Sequence, residues 1–426
     1  MKPAGSTTDG SIPSRREALA GMLCAIGLAS LPALATVVPK GYVPFAFFLA
    51  LSTCMAPNVL VRRVREIAVP FWIITATIAA VVVVLLFSIW HFGLSIDELQ
   101  HHSRLVAIPW CMIWVYALNG DKRWLWAGAL FGILATSALL FYETSRSIER
   151  AAGWNSNAIV FADTFMVVIV MAMLCAPRRF EIPTLMIALL GMLAISFTGT
   201  RSVWPGLLIA MALMILRLRS GGRRSRWILL IAILAAMAAA VISMPGLKQH
   251  VRIGELRRDL SFYEQGNLDT SSGARAERLL VAYRTLIKHP MAGVGVGQFD
   301  RVAMKAEVPA CRDNELKRCG FGHAHNDLAE WSATMGVPGG LALSAIYLVP
   351  FVLMAYCWWR TPGRRNDAAI AGMVSMAALA ICGMTQSMFA HQSTASILSA
   401  VAGLMLGLSL GEMRQAQARA SASLGE

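Results

Sequence analysis

The chain has 426 residues, of which 57% are hydrophobic and only 15% charged. Apolar runs of about 20 residues, the length that crosses ~30 Å of hydrocarbon, recur along it and exclude an ordinary soluble fold. The formal net charge of +14 does not point to nucleic acid, because Lys and Arg gather in short links between the apolar runs, as expected when basic loops resist translocation.

In chain order, segment 1–20 is polar and basic, with Arg15 and Arg16 just ahead of the first apolar run. The same alternation continues throughout, so this run is expected to be a retained first helix and not a cleaved signal. Twelve spans are expected, at 18–36, 41–59, 67–89, 105–119, 124–142, 158–176, 182–199, 202–217, 227–245, 336–359, 368–388 and 391–412. With the N-terminus in the cytoplasm, the even-numbered links are VRRVRE (61–66), GDKR (120–123), APRR (176–179), RLRSGGRRSR (217–226) and RTPGRR (360–365). All are short and basic, and the tail after 412 joins them on the cytoplasmic side. The expectation is a single all-α polytopic membrane domain over 1–426, both termini cytoplasmic, with no repeat of solenoid period.

One external link is long. Segment 246–335 holds 13 Lys or Arg against 11 Asp or Glu, so it is not a basic arm. A loop of this length is usually functional or carries structure of its own. Residues 274–288 read as an amphipathic helix capped by Ser271 or Ser272 and stopped at His289-Pro290. Segment 323–335 reads as a helix leading into the tenth span. Cys24, Cys54, Cys111, Cys175, Cys357 and Cys382 fall in spans, where cysteine acts as a small hydrophobe. Cys311 and Cys319 lie in the aqueous loop, where an oxidising compartment permits a disulfide; the alternative is two free thiols.

Four groups of residues carry chemistry. In GHAHNDLAEWSATMGVPGG (322–340), His323, His325, Asn326, Asp327 and Glu330 crowd together at a membrane surface. The HxHxD spacing fits a metal site weakly, a histidine base better, and Asn326 and Asp327 also fit a plain helix cap. In FTGTRSVWPG (197–206), Arg201 sits at a tight corner between two apolar runs, suited to gripping phosphate oxygens or to snorkelling. On the loop helix, Arg275 and Arg278 lie about 60° apart and share a face; they form either a diphosphate clamp or an ordinary solvated side. In 142–163, Trp154 and Asn157 are candidates for an acceptor pocket, and Asp163, inside the sixth span, is costly unless it faces a polar cavity. The GVGVG at 293–297 reads as a turn after Pro290, not as a nucleotide site.

The run from His325 and Asn326 to Gly336 and Gly339 resembles the H-N-(nine residues)-G-x-x-G pattern of the bacterial O-antigen ligases, which related O-antigen polymerases and protein O-oligosaccharyltransferases share. The Thr that usually follows the last Gly is Gly340 here. Thr198-Gly199-Thr200-Arg201 resembles the family's membrane-edge arginine motif. SSGARAERLLVAYRTLIKHPMAGVG resembles its loop segment, with the family arginine at Arg275 and Leu279 where Trp is common; Arg278 is the alternative. The resemblance implies a GT-C-like enzyme of the bacterial inner membrane, acting at the periplasmic face without metal, cofactor or nucleotide sugar. Its donor would be a glycan on undecaprenyl diphosphate, its acceptor a sugar hydroxyl of lipid A–core. His325 would be the base, Arg201 and Arg275 the diphosphate ligands, with Arg278, His323 and Asn326 binding substrate. The other external links are short and the chain ends soon after its last span, which favours the ligase over the polymerase and the protein-modifying enzyme. A transporter or flippase, the reading from another class, would show internal repeats and interrupted helices near the midplane.

Overall fold

A computed structural model describes residues 14–146, 148, 150–153, 157–218, 222–243, 270–308, 311 and 322–423. Among them every element is helical and no strand occurs. In order these are α1 (Arg15–Leu34), α2 (Val43–Met55), α3 (Pro57–Val64), α4 (Ala68–Phe92), α5 (Ala107–Ala117), α6 (Lys122–Ser145), α7 (Ala158–Cys175), α8 (Glu181–Ser196), α9 (Trp204–Arg217), α10 (Arg223–Ser243), α11 (Ser271–Lys288), α12 (Asp327–Arg360), α13 (Asp367–Gly383) and α14 (Gln392–Ala422). A helix overlaps each expected span. Seven segments are long and apolar enough to cross a membrane, and α2, α9 and α13 are shorter apolar helices.

Local signals set the helix ends. Ser14 and Glu17 form a reciprocal capping box at α1, Asp121 caps α6, and prolines in the first turn open α3 and α9. In α4, Ile74, Ile78, Val81, Leu85 and Ser88 form a buried stripe at helical spacing, whereas Val69, Trp72, Val83, Phe87 and Trp90 face outward. Outward apolar side chains are the lipid face of such a protein. By contrast, α7 and the first two thirds of α14 are buried all round and form the centre.

Lipid is as apolar as leucine, so close backbone approach has to hold such helices together. Gly128 and Gly132, four apart on α6, lie against the carbonyls of Ala29 and Pro32 in α1. Gly403 and Gly407, four apart on α14, lie against Ile108 and Met112 of α5. A Cβ at any of these positions would overlap a backbone atom.

The two ends of the bundle differ. At one, Lys122 pairs with Asp367 (2.9 Å) and Glu412 (2.6 Å), and Arg217 reaches Asp367 (3.3 Å) and Glu181 (3.8 Å). This network ties α6, α8, α9, α13 and α14 together where the basic links 120–123, 176–179 and 360–365 lie. The other end carries the 322–326 loop and the turn after α11.

That end is organised by a break in α12. Gly336 has φ 68°, in the left-handed region. Helix α12 is therefore two rods, and the break frees carbonyls on its first rod. The turn after α11 fills the gap: Val294 N–H donates to Ala333 O (3.2 Å), Gly295 N–H to Thr334 O (2.8 Å), and Val337 N–H to Pro290 O (2.7 Å). The G-V-G-V-G segment is thus a docking turn, and a Cβ on Gly336 would overlap the Pro290 carbonyl. Gly336→Ala is expected to lower the thermal unfolding midpoint of the purified protein sharply, since both conformation and space are lost. Strain of this kind costs roughly 1–3 kcal/mol. An unchanged midpoint would contradict the docking.

Helix α11 matches the expected loop helix, but Thr270, not Ser271 or Ser272, caps it: Thr270 Oγ1 accepts from Gly273 N–H at 3.0 Å. The helix begins at Ser271, three residues before the 274 that periodicity indicates, because the cap precedes both serines. The span expected at 368–388 stops at Gly383.

Candidate functional site

The 322–326 loop is held along its length. Gly322 N–H donates to Asp300, and Ala324 N–H to Glu330. The His323 carbonyl accepts from Arg278 Nη1 at 2.5 Å. Asn326 caps α12, with Oδ1 accepting from Ala329 N–H (2.9 Å) and Nδ2 donating to Met384 O (2.9 Å). Asp327 fastens the connection after α13: Tyr347 OH and Phe389 N–H both donate to its carboxylate at 3.4 Å. His102 stacks on Phe389, with 4° between the ring planes, and bears edge-on against Trp331.

This frame positions His325, which itself has φ 56°, a strained conformation for a non-glycine residue. Its Nδ1 lies 2.8 Å from Gln386 Oε1, and Gln386 Nε2 lies 3.0 Å from His391 Nε2. With the amide so oriented, His325 Nδ1–H donates and Nε2 becomes the basic atom. His391 Nε2 accepts the hydrogen bond from the Gln386 amide, so its own ring hydrogen is on Nδ1. The His323 ring stands edge-on to His325 with centroids 4.3 Å apart, and its Nδ1 is buried without a hydrogen-bond partner among the described residues.

Burial holds all three histidines below the ordinary value of ~6.5. His323 falls to about 3, with His325, His391 and Arg278 adding to the burial effect. For His325 the Gln386 hydrogen bond opposes the shift, while the charges of Arg275 and Arg278 reinforce it. A neutral imidazole at neutral pH is the form a general base needs. In the unfolded chain these histidines would take up protons near pH 6.5, so there the unfolded state binds more protons than the folded one. Taken alone, these histidines make stability fall as pH drops from about 7 towards 4; the buried Glu330 carboxyl, raised to about 8, acts in the opposite sense. The direct check is NMR titration of the histidine ring protons, in which all three are expected to titrate below ~6.5; a titration at or above that value would contradict the buried neutral histidines.

The arginines separate. Arg278 is wholly buried and paired with Asp300 at 2.6 Å, besides holding the His323 carbonyl. Expected at the substrate, it is instead an internal strut. Arg275, one turn earlier, is partly exposed, and its charge acts on His325. Arg201 is exposed at its corner. The corner is tied to the same frame through Cys382, whose thiol donates to Ser202 O at 3.6 Å, four residues before Gln386.

Other expected substrate contacts are placed differently. Asn326 is buried and occupied by its two cap bonds. Asn157 caps α7, accepting from Ile159 N–H at 2.9 Å, because the chain needs an N-cap where that helix starts. Asp163 is fully buried and faces Cys382 and Ser202 beneath the Arg201 corner, not an open pocket. Trp154 and Cys319 lie outside the described residues. Cys311 is disulfide-bonded and packs beside Phe299 and Met304. Among the described residues no three His, Cys, Asp or Glu side chains are grouped so as to hold a metal ion.

Sequence reasoning missed Gln386 and His391. Gln386 and His391, five positions apart at a span boundary in TQSMFAHQ (385–392), were the available signal. Gln386→Leu is expected to slow any base-catalysed turnover by on the order of 10²-fold with little change in substrate KM, because the imidazole loses the partner that fixes its tautomer. A loss confined to KM would contradict this role.

The fold is that of an all-helical polytopic membrane protein with a strapped histidine loop beside an arginine-bearing helix. Over residues 185–344, somewhat more than a third of its length, the chain matches the family model described as O-antigen ligase. The matched segment includes Arg201, Arg275, His325, Gly336 and Gly339. An uncharacterized protein of Haemophilus influenzae is 26% identical over 163 residues, which span 38% of this chain and 40% of that protein.

Proposed function

We propose that the protein transfers a glycan from undecaprenyl diphosphate to a sugar hydroxyl of lipid A–core. In this reading it spans the bacterial inner membrane twelve times, both termini are cytoplasmic, and the His325 end faces the periplasm. The basic links gathered at the opposite end support that orientation. The observation that carries the reading is the His325–Gln386–His391 chain beside Arg275, inside a family of lipid-linked glycan enzymes.

The acceptor hydroxyl gives its proton to His325 Nε2 as its oxygen attacks the anomeric carbon. The bond from that carbon to the diphosphate oxygen breaks, and undecaprenyl diphosphate leaves. Arg275 and Arg201 hold the charge that grows on the leaving group, a role worth ~2.7–4 kcal/mol for a well-placed donor. Histidine returns its proton to solvent or to the departing diphosphate. No metal takes part in these steps. A single displacement inverts the anomeric centre, so one product linkage tests the route. NMR of that linkage is expected to show inversion, and retention would overturn the single step. The Cys311–Cys319 pairing is proposed alongside, closing a small loop just ahead of the histidines.

A further inference from the structure

Helix α11 has two apolar faces. One, with Ala274, Val281 and Ala282, is buried against the protein around Arg278. The other points away from it: Leu279 and Leu280 are exposed, Tyr283 is 62% exposed and Ile287 60%. At ~100° per residue these four fall within an arc of about 100°, opposite the buried side. Glu277, Arg284 and Lys288 form a separate edge, where the two cations pair with Glu307. A helix with water on its outer side is polar there; this one is not.

The outward face joins the lipid face of the bundle. Met291, four residues beyond Ile287, is 72% exposed, and its backbone lies against Gly336. Val337, whose N–H donates to Pro290 O, begins an exposed stripe at helical spacing that continues through Leu341, Leu348 and Val352. That stripe faces outward from the second rod of α12, as Val69, Trp72 and Val83 do from α4. On the other side of the docking turn, Gly295 packs against Phe92 and Leu94, and the end of α4 exposes Trp90. Trp and Tyr favour the membrane–water boundary, and here Trp90 and Tyr283 flank one turn.

We propose that α11 is an interfacial helix, docked through its Leu279–Ile287 face on the phospholipid surface at the His325 end of the bundle. The Arg284 and Lys288 edge then stands at headgroup level, the arrangement of helices that lie in the plane of a membrane. Arg275, one turn before Leu279, borders the same arc and is held at the depth of lipid phosphates. The helix thereby sets the level at which a lipid-borne diphosphate meets the histidine loop, a consequence that rests on the proposed donor. The docking itself needs only a membrane-spanning bundle.

The test uses the full-length protein in nanodiscs of phosphatidylethanolamine and phosphatidylglycerol, with no glycolipid added. Spin labels are placed singly by Tyr283→Cys, Ile287→Cys, Arg284→Cys and Leu341→Cys, each with Cys54→Ser, because Cys54 is an exposed free cysteine. Oxygen concentrates in lipid and a nickel chelate in water, so their relative effect on the label reads depth. Labels at 283 and 287 are expected to favour oxygen and to lie about 5–10 Å into the headgroup–acyl boundary. The label at 341 should lie deeper, and that at 284 should favour nickel. Leu279→Cys and Leu280→Cys repeat the reading if an unfolding midpoint shows that one of the first two variants does not fold. Nickel favoured at 283 and 287 overturns the docking in favour of a solvated face. Exclusion of both reagents there overturns it in favour of a protein cover, and spin–spin broadening identifies that cover as a second copy. Oxygen access gained only after adding undecaprenyl diphosphate overturns the bulk-lipid assignment in favour of the donor's tail. The expected depths in a protein that transfers no glycan would sustain the interfacial helix and remove the proposed reaction.

Discussion

His325→Ala is expected to reduce glycan transfer by at least the 10²–10⁴-fold that a positioned base contributes, while the protein still folds. The side chain is partly exposed, and the loop's other bonds, from Gly322, His323, Ala324 and Asn326, do not depend on it. His325→Gln, which keeps a polar group near Gln386 but supplies no base, should be as inactive. The pH profile adds a signature. Burial holds the imidazole below its usual range, so the acid limb of kcat should lie below pH ~6.5. Gln386→Leu removes the bond that opposes the shift and should move the limb lower still. An acid limb at or above ~6.5, or an alanine variant within tenfold of wild type, would remove His325 from the base role.

Arg278 and Arg275 are expected to fail in different ways. Arg278→Met leaves Asp300 and the His323 carbonyl facing a side chain without donors. Breaking a buried pair from one side costs about 3–5 kcal/mol, so the variant should unfold at markedly lower temperature and lose activity with its fold. Arg275→Met should keep the unfolding midpoint near that of wild type and slow transfer by on the order of 10²–10³-fold, the worth of one electrostatic donor to a developing anion. Thermal unfolding and initial rates, measured on the same preparations, separate the two. A stable but inactive Arg278→Met would exchange the assignments.

Much of this was legible in the residues. Apolar runs and basic links located the helices, because hydrophobic length and loop charge are properties of sequence alone. His325 and Asn326 stood out in a crowded polar cluster, and Gly336 and Gly339 through resemblance to a family pattern; the structure gives that pattern a reason: Asn326 starts a helix that Gly336 must break to admit the 290–295 turn. Arg275 and Arg278 could not be separated, since both lie on one helical face. Asp300, 22 residues away from Arg278 in sequence, and the His323 carbonyl hold the buried Arg278, while Arg275 is left partly open. Asn157 and Asp163 were polar residues at a span for which sequence could not distinguish cap, buried neighbour and pocket. Gln386 was hidden inside an expected span, because only the contacts of Asp327 and Asn326 with 384–389 reveal where α13 stops.

The central claim is ligation with His325 as base, and lipopolysaccharide profiling in a ligase-deficient host with a compatible donor and core tests it most directly. With equal expression, the wild-type gene is expected to restore the long-chain ladder and His325→Ala to leave the core unmodified. A wild type that leaves the core bare, while altering chain length or protein glycosylation, would contradict ligation and point to a different glycan-transfer activity.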